Sequence, residues 1–193
     1  DPRVEVREWR QDLPHERYPL LHREYRTPGG ALHTIVAKTE DYRQGDRVPL
    51  FDDYVIPRSR KRLIARPEDL EALQYLLLPP AKEDIAELRE RTVKAKAFGA
   101  QHGVLVEARW GSVVDTACWL AGITELVLMG IDQPEFLEEL LGIIETWNRS
   151  RMEVMLDQGV DLFVRRGWYE TSEFWSPALY RRFILPSLTR DAA

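Results

Sequence analysis

The stretch from Gly159 to Pro186, GVDLFVRRGWYETSEFWSPALYRRFILP, constrains the fold more than any other part of the chain. It opens with a short apolar run, Val160 to Val164, broken only by Asp161. Arg165 and Arg166 follow at once, then Gly167, the aromatic pair Trp168 and Tyr169, and Glu170. Ser176-Pro177 starts a helical pattern that puts Leu179, Tyr180, Phe183 and Ile184 on one face, with serine before proline as helix starts prefer. The order is strand, polar loop, capped helix. In parallel α/β proteins ligands meet the carboxyl ends of the strands. Arg165, Arg166, Trp168, Tyr169 and Glu170 therefore stand where chemistry is usually placed.

The preceding residues repeat this alternation. Lys82 to His102 reads as a long helix with Ile85, Leu88, Val93 and Phe98 as its apolar face, and Gly103 lies just past its end. Val104-Leu105-Val106 reads as a short buried strand ending in Glu107, Ala108, Arg109, Trp110 and Gly111. Helices are expected over Val113 to Leu120 and Thr124 to Met129. Asp132 is placed to cap a long helix, with Pro134 in its first turn. That helix carries Phe136, Leu140, Ile143, Ile144, Trp147 and Met155 at three- and four-residue steps and runs to about Gln158. Short strands alternating with long helices are the pattern of parallel βα units with right-handed crossovers.

The first half differs. Residues 1–22 are polar with scattered Trp9, Leu13, Tyr18 and Leu20, and read as an irregular lead-in. Pro28-Gly29-Gly30 sits between two extended runs and predicts a β-hairpin from about Glu24 to Lys38. Residues 40–47 form a charged loop. Val48 to Ile56 is extended, though Pro49 confines it to an edge. Pro67-Glu68-Asp69 opens a short helix to about Leu76, ended by Pro79-Pro80. The division expected is an N-terminal extension over 1–47, with a hairpin, and an α/β unit over 48–193. The chain begins at Asp1 and carries few strands, which suggests a segment of a longer protein.

Composition narrows the function. A net charge of −5 over 193 residues and no basic stripe argue against nucleic acid. One cysteine, Cys118, excludes an intrachain disulfide and a Cys-rich metal site, and it fits a reducing cytoplasm. No run of about 18 apolar residues offers a membrane span, and no signal peptide is visible. His15, His22, His33 and His102 show no ligand spacing and read as surface residues. Cys118, beside Trp119, reads as a small core residue.

Three groups remain as candidates. Arg165 and Arg166 have planar forks that suit carboxylates or phosphates, with Trp168 and Tyr169 to floor a flat ligand. Glu170 becomes a general acid or base if desolvation raises its pKa. Glu107 and Arg109 share one side of their strand, beside Trp110, where they bind each other or hold a polar ligand. Asp52 and Asp53 point to opposite faces if their segment is a strand, so at most one faces a pocket.

From Val104 to Pro186 the chain resembles the uroporphyrinogen decarboxylase superfamily. The resemblance is carried by the run PEFLEELLGIIETW, the GVDLF strand, and the spacing of Ser176, Pro177, Tyr180, Phe183 and Pro186 in SPALYRRFILPSLTR. It implies part of a (β/α)8 barrel, here with an N-terminal β-hairpin extension. It also implies an enzyme that transfers methyl from a small methylated substrate to a corrinoid protein, or that decarboxylates a tetrapyrrole. In the first case Arg109 and Arg166 orient the substrate, with Glu107 and Glu170 as polar partners, and zinc is held by residues outside this chain. In the second, Asp53, in Phe51-Asp52-Asp53, contacts the pyrrole nitrogens and no cofactor is needed. The RQAGRY-type motif of the decarboxylases is absent, their tyrosine falls near Cys118, and the TPGG hairpin is more similar to the methyltransferase side. A third expectation is a non-catalytic fragment that pairs with another chain through an open barrel edge, and self-association of the chain is expected.

Overall fold

Pro28 and Gly29 turn the chain back on itself, and the flanking runs pair from Leu20 opposite Ala37 to Thr27 opposite Gly30. The computed structural model describes residues 1–192. Its N-terminal half is a four-stranded antiparallel sheet of β1 (Glu5–Gln11), β2 (Leu20–Thr27), β3 (Gly30–Ala37) and β4 (Ser59–Lys61), in that order. Alternation puts Leu21, Tyr25, Leu32 and Val36 on one face, and all four are buried. Tyr25 and Leu32 join the main core with α1 (Asp69–Leu73), while Leu21 and Val36 pack with Tyr42, Val48 and Val55. Gly29 is where α1 crosses the turn: a Cβ there would meet the Glu71 carbonyl at 2.9 Å.

The C-terminal half contains α2 (Lys82–His102), β5 (Glu107–Gly111), α3 (Val113–Ala121), α4 (Ile123–Asp132), α5 (Pro134–Asp157), β6 (Leu162–Arg166), α6 (Pro177–Leu179) and α7 (Leu185–Ala192). A π-helical turn over Tyr180–Ile184 joins the last two. Strands β5 and β6 form a separate two-stranded parallel sheet, and α3, α4 and α5 make the crossover between them. The core lies where α3, α4 and α5 meet α1 and the C-terminal helical run, around Ala117, Leu120, Leu126, Leu140, Ile144 and Ile184. No single helix among the described residues is long and apolar enough to cross a membrane.

The partial (β/α)8 barrel is overturned. The chain forms a mixed α/β structure in which four strands pair antiparallel and only two pair parallel. The first half spends its backbone donors in the antiparallel ladder. The segment Val48 to Val55 is a loop rather than an edge strand, and Ile56 opens a short 3-10 turn over Ile56–Arg58: Val48 N donates to Glu8 Oε1 (3.1 Å) and Tyr54 N to Asp52 Oδ1 (2.8 Å).

Smaller expectations also shift. The lead-in contains β1, whose Trp9 sits opposite His22. Strand β5 starts at Glu107, leaving Val104 and Leu105 exposed at 51% and 73%. The cause is local, because Val106 N donates to the Asp161 carboxylate (2.8 Å) and the Val106 carbonyl accepts from Asp161 N and Leu162 N. Strand β6 runs through both arginines. Asp132 ends α4, and Gln133, without a side-chain cap bond, precedes α5. On α2 the buried residues are Thr92 and Gly99, while Val93 and Phe98 face outward. The start at Ser176 stands as read, its Oγ accepting from Leu179 N at 3.3 Å.

Candidate functional site

Parallel pairing assigns faces. Glu107 with Leu162, Arg109 with Val164 and Gly111 with Arg166 share one; Ala108 with Phe163 and Trp110 with Arg165 share the other. This parity separates the two arginines. Arg165 turns toward α7. Its guanidinium donates to Glu170 at 2.5 and 3.0 Å and meets Asp191 at 2.8 Å. The Arg165 and Glu170 side chains are only 16% and 5% exposed. Glu170 Oε1 also accepts from Val114 N at 3.4 Å. The pair ties the loop after β6 to the start of α3 and to α7, and Glu170, expected as an acid or base, has both oxygens committed to it.

Arg166 turns the other way. Its guanidinium lies 4.6 Å from the Trp168 ring centroid and makes no ion pair among the described residues. Arg109 pairs with Glu107 at 2.8 Å, as strand alternation allows. Between them opens a cavity of about 170 Å³ lined by Arg109, Trp110, Gly111, Asp115, Trp119, Arg166 and Trp168. It lies at the carboxyl ends of β5 and β6. Trp110 is fixed from behind: its Nε1 donates to Asn148 (2.8 Å), its ring meets Trp147 edge-on, and Arg151 stacks over it at 4.5 Å.

Asp115 is the site residue that sequence reasoning missed. It follows the Ser112 cap of α3, whose Oγ accepts from Asp115 N at 3.1 Å. The residue is 2% exposed, and its carboxylate accepts from Trp168 N (3.0 and 2.9 Å) and Tyr169 N (2.9 Å). Burial pushes its pKa up; the two backbone amides oppose this and nearby Glu170 adds to it. The Ser112-x-x-Asp115 spacing is visible in the sequence, but it signals a helix start and says nothing of a cavity.

Asp53 stands behind the wall rather than in it. Its Oδ1 accepts from Trp119 Nε1 (2.7 Å) and from the Tyr169 hydroxyl (3.2 Å). Burial, with Asp53 beside it, pushes the Tyr169 hydroxyl up to about 12. Asp52 bonds Tyr54 N and Gln44 Nε2 (2.6 Å) and only shapes the loop. Cys118 is fully buried, and burial raises its thiol pKa far above the ordinary value. His22 is also buried, against the expectation of a surface residue. Among the described residues no three His, Cys, Asp or Glu side chains gather in a way that would hold a metal ion.

No protein-family model, curated protein or solved structure matches the chain. The resemblance to the uroporphyrinogen decarboxylase superfamily rests on the motifs of the sequence alone.

Proposed function

We propose that the cleft at the carboxyl ends of β5 and β6 binds a small carboxylate-bearing methylated substrate. We propose further that the chain serves methyl transfer from it to a corrinoid protein, as the resemblance implies. The observation that carries this is Arg166, a guanidinium with no ion pair among the described residues, on the wall of a tryptophan-lined cavity. A planar fork held against an aromatic ring suits a carboxylate. Arg109, steadied by Glu107, supplies a second positive wall. Asp115 holds the backbone of Trp168 and Tyr169 over the cavity, and the Arg165–Glu170 pair fixes the loop that carries them. The described residues offer no zinc ligand set, and none of these roles involves one.

Size favours this over the tetrapyrrole reading. A cavity of about 170 Å³ is below the roughly 300–1,000 Å³ of pockets for drug-sized ligands, and a carboxylated tetrapyrrole is larger still. The decarboxylase reading also needs Asp53 at the ligand, where its Oδ1 already serves Trp119 and Tyr169.

Calorimetric titration with methoxyacetate and with trimethylglycine tests the proposal. At least one should bind, and Arg166→Ala should weaken it tenfold or more, about 1.4 kcal/mol, with an unchanged melting curve. Binding by neither, or equal binding by the variant, rules the proposal out.

A further inference from the structure

Asp115 and Arg166 carry opposite charges on the walls of one cavity and do not bond each other. Asp115 has no lysine, arginine or histidine partner among the described residues; its bonds come from neutral backbone amides. The neighbouring buried carboxylate, Glu170, has Arg165. Buried charges are normally paired, because an isolated one loses its hydration without return. Arg166 likewise faces the cavity without a carboxylate among the described residues. The cleft therefore presents an anion and a cation, each lacking its counterpart.

We propose that the ligand is a zwitterion, its carboxylate at Arg166 and a methylated ammonium group against Asp115, Trp119 and Trp168. This rests on the reading of the cleft as a carboxylate site and adds the charge of the group that bears the methyl. Tryptophan faces attract weakly hydrated cations, and Trp119 and Trp168 both line the cavity. Methylation is favoured over a bare ammonium for a specific reason. An –NH₃⁺ group requires several hydrogen-bond acceptors. Asp115 Oδ1 already accepts from Trp168 and Tyr169, and Oδ2 shares the Trp168 amide. What Asp115 offers is mainly charge, which a methylated ammonium uses without needing free lone pairs. The raised pKa of Asp115 agrees with an anion that lacks its cation. The titratable groups around it are Glu170, Tyr169, Cys118 and, beyond them, Asp53; the positive charges nearby are Arg166 and Arg109 on the cavity wall and Arg165 on Glu170, and none of the three bonds Asp115 among the described residues.

The test compares trimethylglycine with 3,3-dimethylbutanoate, its neutral-headed isostere, by calorimetry on the whole chain. Trimethylglycine should bind at least tenfold more tightly, and Asp115→Asn should erase that preference. Because Asp115→Asn also disturbs the Trp168–Tyr169 loop, the unaltered protein provides a second measure. Its affinity for trimethylglycine should fall as the pH is lowered and Asp115 takes up its proton, at pH values where the carboxylate of the isostere is still ionised and its affinity holds. Equal binding of the two compounds, both dependent on Arg166, overturns the zwitterion and leaves the carboxylate site standing. Binding by neither overturns the zwitterion, and the carboxylate site with it where methoxyacetate also fails to bind.

Discussion

Arg165 and Arg166 are adjacent and chemically identical, and the pleat of β6 sends one into a buried ion-pair network and the other to a cavity wall. The cluster around them was legible as a place, because a polar loop after an apolar run marks a strand end. The roles within it were not, because they depend on strand parity and on where the strand stops. With β6 ending at Arg166 rather than Val164, Glu170 falls beneath Arg165 and becomes structural. Asp115 was invisible as a site residue for a related reason. The backbone it binds lies 53 positions away, and no local pattern reports that. A prediction follows from the Arg165–Glu170 pair. Glu170→Gln leaves Arg165 with Asp191 as its only carboxylate and a neutral amide oxygen in place of Glu170, and losing a charge-assisted hydrogen bond costs about 1.5–3 kcal/mol. Urea unfolding should show that loss, with binding at Arg166 retained in the folded fraction. Stability equal to the parent would mean that solvent, not Glu170, satisfies Arg165.

At the scale of elements, the hairpin was readable because its turn residues and its alternation agree, and so was α2, whose ends are set by local composition and Gly103. Strand β1 was not, because Glu5–Gln11 is polar on both faces and exists only through pairing with β2. That pairing builds the outer face of the sheet, where Trp9, His22 and His33 stack with ring centroids 4.7 to 5.4 Å apart. Hydrogen bonds across the stack run in one direction. With Gln11 Oε1 accepting, His22 donates from Nε2 (3.0 Å), so its Nδ1 accepts from His33 Nε2 (3.1 Å). His33 Nδ1 then accepts from Lys61 Nζ (3.3 Å). This assignment follows from the network. A proton added to either ring sets donor against donor. Both histidines have pKa values lowered chiefly by burial; Lys61 and then His22 push His33 the same way, against Glu24. The native chain therefore holds fewer protons than the unfolded one in the window below 6.5. Stability is full above that value and is lost as the pH falls through the lowered native values. The melting temperature should drop between about pH 7.5 and pH 5.5. His33→Phe, which keeps a ring in the stack, should flatten the slope, and a slope unchanged in that variant would exclude the stack as its source.

At the scale of the whole molecule, each local βα step in the second half was readable, yet the steps did not sum to the expected architecture. Strand pairing is decided by partners distant in sequence, and the first half commits its strands to their own antiparallel sheet. The parallel sheet is left with two strands, each having one side without a partner among the described residues. Unpaired strand edges are templates for further pairing. Exposed apolar side chains stand on these strands and just before them: Val104, Leu105 and Leu162 are exposed at 51%, 73% and 46%. Burying one leucine side chain is worth about 1.5–3 kcal/mol, so contact between two copies here removes several such side chains from water at once. The chain should therefore self-associate as its concentration rises, through β5, β6 and the residues before β5. Sedimentation equilibrium measures this directly. Leu105→Lys combined with Leu162→Lys should shift the population to monomer, because each lysine places a charge in the contact. The melting temperature of the monomer should hold, since both positions are already exposed. A parent chain that stays monomeric at every concentration, or a double variant that associates as strongly as the parent, would show that the open parallel sheet is not where copies meet.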